Sequence, residues 1–94
     1  MSERRSRSEI IFDILALIQR KGVKVKPTHI LYGANLSHDR LKEYLDELGQ
    51  KGFLEHYEET KKKKTKTFYR LTEKGFNLLS ELRRMKEVEQ AFGL

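Results

Sequence analysis

Residues 35–52 read Asn-Leu-Ser-His-Asp-Arg-Leu-Lys-Glu-Tyr-Leu-Asp-Glu-Leu-Gly-Gln-Lys-Gly, and the fold prediction is built around them. Leu41, Leu45 and Leu48 recur at spacings of four and three, which places them on one face of an α-helix. The hydroxyl of Ser37 can accept a hydrogen bond from the first turn, and the glycines near the other end suit termination. The segment therefore predicts a helix of about three turns with a defined start and end.

The flanking segments give this helix its setting. Before it, Pro27 suits the first position of a shorter helix whose predicted buried face holds Ile30, Leu31 and Ala34. After it, residues 53–57 and 67–71 are rich in aromatic and β-favouring side chains and are predicted strands. Residues 58–66 between them contain no apolar side chain, which we interpret as a long, solvated hairpin tip. This order of elements is typical of a winged helix-turn-helix.

A first helix is predicted ahead of these elements. Ser6 and Glu9 fit a capping box, in which each side chain satisfies a backbone donor of the other residue. The helix is expected to run to about Arg20 and to end at Gly22. Residues 23–25 alternate like a very short strand, which we expect beside the hairpin.

A last helix is predicted to begin after Thr72, which caps it, and to continue to about Ala91. Four of its side chains form a seam at spacings of four, three and seven: Leu78, Leu82, Met85 and Phe92. A helix that extends beyond so small a domain cannot bury all of them on its own core. We therefore predict a homodimer paired through the C-terminal helices. The alternative is that Phe76 and Leu79 dock on the core while the helix end frays.

The predicted architecture is one α+β domain over residues 1–94: a three-helix core plus a β-hairpin wing over 9–72, and a C-terminal dimerisation helix over 73–92. Hydrophobic residues make up 37% of the chain and charged residues 36%, so apolar side chains are few for the core. The sequence contains no run of about 18 apolar residues, so it predicts no membrane span. Cysteine is absent, which excludes disulfides and thiolate metal sites and favours a cytoplasmic protein.

The charge of the chain predicts a polyanionic partner. The net charge is +6 and the pI about 9.7, and much of the excess is concentrated in one short segment: Lys61, Lys62, Lys63, Lys64 and Lys66. We predict that this wing contacts the phosphates or the minor groove of DNA; the alternative is a solvated loop without a partner. A smaller basic group comprises Arg4, Arg5 and Arg7.

The central helix has an outer face that phosphates would repel, since it carries Asp39, Glu43, Asp46 and Gln50. Basic and polar residues lie near its start instead: Ser37, His38, Arg40 and Lys42. We therefore predict that only its first one or two turns enter the major groove. Ser37 and the first helical amides would bind a phosphate, and Arg40 would contact guanine. The alternative for Arg40 is an ion pair at a spacing of three or four on the helix surface, with Glu43 or the neighbours of Tyr44.

Taken together, these segments resemble a known family. The segments Ile30-Leu-Tyr-Gly-Ala-Asn-Leu-Ser37, Lys51-Gly-Phe-Leu54 and Tyr69-Arg-Leu-Thr-Glu-Lys-Gly75, with Leu41, Tyr44, Leu45 and Leu48, resemble the small archaeal winged-helix DNA-binding proteins of the Sulfolobus "10a" type. The resemblance covers nearly the whole chain from about residue 9. It implies an archaeal protein that dimerises through an antiparallel coiled coil and binds double-stranded DNA with the recognition helix and wing.

The sequence contains no recognisable catalytic or cofactor site. His29, His38 and His56 lack the spacing of metal ligands, so no metal is expected. Residues 37–39 contain the letters of a catalytic triad, but consecutive helical side chains point in different directions. The predicted function is a DNA-binding transcriptional regulator associated with the nucleoid. The alternatives are a chromatin-like DNA binder of low specificity, a winged-helix module for protein partners, and an RNA-binding protein.

Overall fold

The structure, a computed structural model, describes residues 5–94, which form four helices and one β-hairpin. In chain order the elements are α1 (Arg7–Lys21), α2 (Pro27–Ala34), α3 (His38–Gln50), β1 (Leu54–Lys61), β2 (Lys64–Leu71) and α4 (Glu73–Ala91). Their order and type confirm the predicted winged helix-turn-helix with a C-terminal helix. Arg4, which the sequence placed in a basic group, lies outside the described residues.

Three helix starts are capped as the sequence predicts. The Ser6 hydroxyl accepts a hydrogen bond from the Glu9 N–H, and the Glu9 carboxylate accepts one from the Ser6 N–H at 2.9 Å. The second of these bonds is the main reason why the pKa of Glu9 lies below its ordinary value. The hydroxyls of Ser37 and Thr72 each accept from the N–H of the third residue of their helix. Each cap satisfies donors that the helix itself leaves unpaired.

The core lies where the first three helices meet the base of the hairpin. The predicted face of α3 is buried, with Tyr44 beside the three leucines. The buried residues of the core are Ile10, Ile14, Leu15, Ile18, Val25, Ile30, Leu31, Ala34, Leu41, Tyr44, Leu45, Leu48, Leu54, Leu71 and Leu79. Because α1 supplies four of these side chains, it acts as the central support for α2 and for the hairpin.

The predicted short strand between α1 and α2 is reduced to one residue. Val25 forms an isolated antiparallel bridge with Tyr69, whose N–H donates to the Val25 carbonyl at 2.9 Å. Val25 is fully buried, so its side chain anchors the loop while its carbonyl extends the sheet. The bridge fixes this loop against the hairpin.

The prediction of a long, solvated hairpin tip is wrong. Strand β1 continues to Lys61, strand β2 begins at Lys64, and Lys61 pairs with Lys64 at the end of the ladder. Lys62 and Lys63 alone form the turn, with φ values of 50° and 66°. Two central residues with positive φ are the signature of a type I′ turn, whose twist matches that of the strands. Backbone hydrogen bonds extend the ladder through a segment without apolar side chains.

Helix α4 buries apolar side chains on the core through its first half, and farther along Lys86 Nζ lies 4.8 Å from the centre of the Phe12 ring of α1. Leu79 is buried, and Leu78 and Leu82 are half-buried against the core. The side chains farther along stay exposed: Met85 by 54%, Val88 by 48% and Phe92 by 77%. Phe76, near the start, is also 47% exposed, so only Leu79 of the alternative docking pair reaches the core. The predicted seam therefore divides into Leu78 and Leu82, half-buried on their own domain, and Met85 and Phe92, which stay more than half exposed.

Candidate nucleic-acid interface

The residues predicted to contact DNA belong to the start of α3. Ser37, His38, Arg40 and Lys42 are all exposed, and Arg40 and Lys42, two positions apart, lie on opposite flanks of the buried face. Asn35, just before them, has a left-handed backbone with φ 54°, which turns the chain sharply from α2 into α3. The N-terminal amides of α3 point to solvent at this turn, and such amides attract anions.

Arg5 holds the turn between α2 and α3 in place. Its Nη1 lies 2.7 Å from Oδ2 of Asp13 in α1. Its Nη2 donates to the carbonyl of Ala34 at 2.6 Å and to that of Asn35 at 3.3 Å. The guanidinium thus ties α1 to the last carbonyls of α2. The sequence placed Arg5 in a basic group, but its structural role depends on residues about thirty positions away and has no local signal.

Arg40 rests on a neighbouring aromatic ring. Its Nη2 lies 3.4 Å from the hydroxyl of Tyr44, and its guanidinium carbon lies 5.8 Å from the centre of that ring. Arg7 approaches the same ring, at 5.6 Å. The contact is with Tyr44 itself, whereas the alternative considered from the sequence was an ion pair with Glu43 or the neighbours of Tyr44. Among the described residues, Arg40 forms no ion pair. The contact with Tyr44 keeps the side chain ordered at the surface, with its remaining N–H groups available.

Glu47 is the carboxylate of α3 that the fold neutralises. It accepts hydrogen bonds from Arg7 of α1 and from Nζ of Lys51, the latter at 2.7 Å. These bonds lower the pKa of Glu47 to about 2 and raise the pKa of Arg7. Within residues 5–94, Asp39, Glu43 and Asp46 form no such ion pair, so the outer face of α3 keeps its negative charge.

The two faces of the wing differ in charge. Residues directly opposite each other in an antiparallel ladder lie on the same face. One face carries the pairs Lys61–Lys64, Glu59–Lys66 and Tyr57–Phe68, and the other carries Thr60–Thr65, Glu58–Thr67 and His56–Tyr69. A groove of about 590 Å³ separates α3 from the second face, and Asp46 and Gln50 line it together with His56, Glu58, Thr67 and Tyr69. Three of the five predicted wing lysines therefore project from the face turned away from α3.

That outer face gains two further lysines from the loop between α1 and α2. A groove of about 350 Å³ there is lined by Lys24, Lys26, Glu59, Lys61, Lys62, Lys64, Lys66 and Phe68. Nζ of Lys24 lies 3.5 Å from Oε1 of Glu59, across the groove. The sequence did not single out Lys24 and Lys26. The sequence signal that could have identified them is that they flank Val25 in an alternating pattern typical of a strand. In the structure the bridge at Val25 places both lysines beside the hairpin.

The described part of the chain offers no site for a metal ion: no three His, Asp or Glu side chains of residues 5–94 are grouped as ligands. None of its helices combines the length and the apolar content that crossing a bilayer would require.

Comparisons with known proteins agree with this geometry. A family model described as winged helix-turn-helix matches residues 4–90. Among solved structures, Sso10a-2, a DNA-binding protein from Sulfolobus solfataricus, is 28% identical with a TM-score of 0.74, covering 94% of this chain and 85% of that one. This likeness confirms the predicted resemblance. No curated protein matches the sequence.

Two bacterial structures are also similar. The diamide-treated YodB of B. subtilis is 26% identical with a TM-score of 0.71, covering 95% of this chain and 83% of that one. The protein smu.1704 of Streptococcus mutans UA159 is 21% identical with a TM-score of 0.81, covering 96% and 87%, and shows the shared fold. The architecture therefore occurs in both bacterial and archaeal proteins.

Proposed function

The chain belongs to the winged helix-turn-helix family, and on that basis we propose that it is a dimeric transcriptional regulator that binds double-stranded DNA. The observation that carries the proposal is the exposed cluster at the start of α3, formed by Ser37, His38, Arg40 and Lys42. This is the segment that a helix-turn-helix presents to the major groove. The net charge of +6 adds attraction to the phosphates.

Only the first turns of α3 enter the groove in this proposal. Asp39, Glu43 and Asp46 carry unpaired negative charge on the outer face, which would meet phosphates if the helix lay flat in the groove. A tilted approach keeps the later turns, with Glu43 and Asp46, clear while the helix amides and Ser37 bind a phosphate; Asp39 lies in the first turn and enters with it. Arg40, ordered on Tyr44, is then placed to bond the edge of a guanine.

The wing contributes mainly through its tip. Lys62 and Lys63 occupy the turn, where neither face of the hairpin confines their side chains. We propose that they contact phosphates or the minor groove next to the site that α3 reads. Lys61, Lys64 and Lys66 project from the outer face and add to the attraction from its side. Lysines supply affinity rather than base discrimination.

Dimerisation through α4 is the second part of the proposal. Met85 and Phe92, with Val88 beside them, leave an apolar surface on the second half of the helix. We propose that a second copy covers this surface, with Leu78 and Leu82 at the inner edge of the interface. Pairing would set two α3 helices against successive turns of one duplex, about 34 Å apart.

A chromatin-like binder of low specificity is the second candidate, and the charge distribution favours it in one respect. The acidic outer face of α3 limits base contacts, whereas the lysines bind any sequence. In either case the protein would act on the nucleoid, in the cytoplasm. Comparing genomic with random duplexes separates the two: a large affinity gap indicates a regulator, and a small gap with a steep salt dependence indicates the chromatin-like role.

The salt dependence of binding tests the wing. Fluorescence anisotropy with a labelled duplex should give a linear fall of log K with log salt, with a slope of about −0.9 for each phosphate contact. Replacing both tip residues in Lys62→Gln/Lys63→Gln should make the slope shallower by about 1.8. The matched control is Lys74→Gln/Lys86→Gln, which removes the same charge from α4. An equal change in both variants would contradict a contact at the tip.

Arg40 tests the reading of bases. Arg40→Gln and the charge-conserving Arg40→Lys should both weaken binding to the best genomic duplex by about 1–3 kcal/mol, because a bidentate guanine contact needs the guanidinium. Binding to random DNA should change far less with Arg40→Lys. If Arg40→Lys bound the genomic duplex as tightly as the wild type, Arg40 would contact a phosphate and not a base.

Competition by duplex RNA tests the RNA-binding alternative, since the A-form major groove excludes a helix.

A further inference from the structure

We propose that Lys24 and Lys26 of the α1–α2 loop, together with the outer face of the wing, bind the phosphates of the DNA strand that borders the minor groove on the side away from α3. The inference rests on the proposed DNA function and adds to it a contact element outside α3 and the hairpin. It also makes the groove on this outer face, rather than α3, the main source of attraction to DNA.

Most of the net charge of the chain is concentrated in this groove. Its lining has one carboxylate, that of Glu59, and six lysines: Lys24, Lys26, Lys61, Lys62, Lys64 and Lys66. Six positive charges and one negative charge leave +5 of the chain's +6, so the remaining residues together are nearly neutral. Because affinity for a phosphate backbone follows the number of lysines and arginines that meet it, this groove supplies most of that affinity.

The groove between the wing and α3 has the opposite charge. Asp46, Glu55 and Glu58 belong to its lining, which contains no lysine or arginine. A phosphate strand is repelled there and attracted on the outer face. The hairpin therefore presents two faces of unlike charge to the DNA around it.

The form of the outer groove suits a phosphate strand better than an organic ligand. Phe68 lines it but is only 3% exposed, so the floor is closed to an aromatic or apolar group. The lysines of the hairpin are exposed and offer their charge to the outside. Lysine ammonium groups bind phosphates as point charges, without the enclosed geometry that a small molecule requires.

The α1–α2 loop is held beside the hairpin before DNA arrives. The bridge between Val25 and Tyr69 fixes its backbone, and the Lys24 N–H donates to the hydroxyl of Tyr57 at 3.3 Å. Nζ of Lys24 reaches β1, where it lies 3.5 Å from Oε1 of Glu59. This arrangement lowers the entropic cost of placing the two loop lysines against a phosphate strand.

The length of the lysine row matches a run of phosphates. From Phe68, near the loop, to Lys64, at the end of the ladder, β2 rises by about 14 Å. One DNA strand carries a phosphate for each 3.4 Å or so of helix axis, so the row can face up to about four phosphates. Lys61 and Lys64 stand directly opposite each other, and a phosphate near both would offset their repulsion.

The position of the groove relative to α3 determines which strand it meets. In the proposed function α3 begins in the major groove and the wing tip lies in the neighbouring minor groove. The hairpin then stands between the two strands that border the minor groove. Its α3 side faces the strand shared by both grooves, and its outer face meets the other strand.

The salt dependence of binding to a labelled random-sequence duplex tests the loop. Lys24→Gln/Lys26→Gln should weaken binding about tenfold or more at about 150 mM salt and make the slope of log K against log salt shallower by about 1.8. The control Lys74→Gln/Lys86→Gln removes the same charge from α4 and should leave the slope nearly unchanged. Equal changes in both variants would show attraction by net charge only and would overturn the inference. Circular dichroism checks that both variants fold.

Two adjacent glutamates of β1 test which face of the hairpin meets the strand. Glu59 lies on the outer face among the lysines, whereas Glu58 lies on the face toward α3. Glu59→Gln should strengthen binding about threefold or more, and Glu58→Gln, with the same change of net charge, by less than about twofold. An equal or larger gain in Glu58→Gln would contradict a strand on the outer face.

Energy transfer between donor-labelled and acceptor-labelled duplexes tests whether one duplex makes all the contacts. In this proposal it does, so transfer should stay at background in the wild type and in Lys24→Gln/Lys26→Gln. Transfer that appears in the wild type and disappears in the variant would show that the groove binds a second duplex. That result would overturn the assignment to the minor-groove strand.

These results separate the inference from the function on which it rests. A wild type without affinity for duplex DNA would contradict both. Binding that depends on Arg40 and is unaffected by Lys24→Gln/Lys26→Gln would support the proposed function and overturn the inference alone. The inference expects the lysine variant to lose the same factor on genomic and random duplexes, because phosphates are alike in every sequence. A loss confined to the genomic duplex would contradict it.

Discussion

At the scale of single residues, the Glu47 carboxylate links two helices that are distant in the chain. It accepts from Arg7 at the start of α1 and from Lys51 just after α3. Arg5, two residues before Arg7, holds the turn that leads into α3. Both ends of α3 are thus tied to the N-terminal segment by arginine. The orientation of α3 depends on these polar contacts as well as on its buried leucines.

The ion pair between Glu47 and Arg7 makes the free energy of unfolding depend on pH in the acidic range. The folded-state pKa of Glu47 is lowered from 4.5 to about 2, so its contribution is complete above 4.5 and is lost as the pH falls toward 2. Thermal melts from pH 6 to 2 should show a smaller fall in Tm across that interval for Glu47→Gln than for the wild type.

The control for this experiment is Glu87→Gln, which removes an exposed carboxylate of α4. It should follow the wild-type pH dependence. A wild type and Glu47→Gln that lose Tm in parallel between pH 4.5 and 2 would contradict the role given to the pair with Arg7.

At the scale of elements, the hairpin turn carries the clearest backbone strain. Lys62 and Lys63 both have positive φ, a region that side chains with a Cβ atom adopt at a cost of about 1 kcal/mol each. Asn-Gly is the usual pair in such turns. Lysine at both positions therefore exchanges stability for positive charge at the tip, which agrees with a wing that contacts phosphates.

Glycine at the second turn position should relieve part of this strain. Lys63→Gly is expected to raise the free energy of unfolding by about 0.5–1 kcal/mol, measured by chemical denaturation. The control Thr60→Gly, one residue inside the end of β1, should lower it, because glycine weakens strand interiors. Destabilisation by Lys63→Gly would show that the turn is not of the I′ type.

The packing of α4 against Phe53, the residue before β1, depends on a glycine at a close approach. A Cβ atom at Gly75 would lie 2.1 Å from the carbonyl oxygen of Phe53, so the two backbones could not keep their distance. Gly75→Ala should therefore cost about 2 kcal/mol or more in unfolding free energy. Gly49, inside α3, has nothing within 4 Å of such an atom. Gly49→Ala should be stabilising by about 0.5–1 kcal/mol, and a similar sign for both would contradict this difference in packing.

At the scale of the whole molecule, α4 extends beyond the domain that supports it. Its first half buries Leu79 in the core, while Met85 and Phe92 in its second half contact little of their own chain. Neighbouring exposed apolar side chains of this kind are common at protein interfaces. The same helix therefore has a folding role at its start and, in our proposal, an assembly role at its end.

Charge substitution in the exposed half should separate these two roles. Met85→Glu/Phe92→Glu should convert the dimer to a monomer in size-exclusion chromatography with light scattering, and far-ultraviolet circular dichroism should be retained. Val23, an apolar side chain 72% exposed on the α1–α2 loop, provides the control Val23→Glu, which should leave the mass unchanged. A wild type that is monomeric at all concentrations would contradict the dimer.

Much of the fold could be read from short-range patterns. The caps at Ser6, Ser37 and Thr72 and the leucine face of α3 are confirmed, because each depends on residues within a few positions of one another. The lysine-rich wing was also recognised as a hairpin. The prediction of a solvated tip was wrong because it relied on apolar alternation to recognise strands. Backbone hydrogen bonds hold the ladder between residues 58 and 66 instead.

The arrangement of the candidate sites could not be read in this way. The strand register determines which face of the hairpin carries Lys61 and Lys64. The bridge at Val25 brings Lys24 next to that face. The pairing of Arg7 with Glu47 joins residues forty positions apart. Local spacing specifies helices, caps and strands because their bonds are local, whereas the sharing of one surface by distant charges depends on how those elements pack in three dimensions.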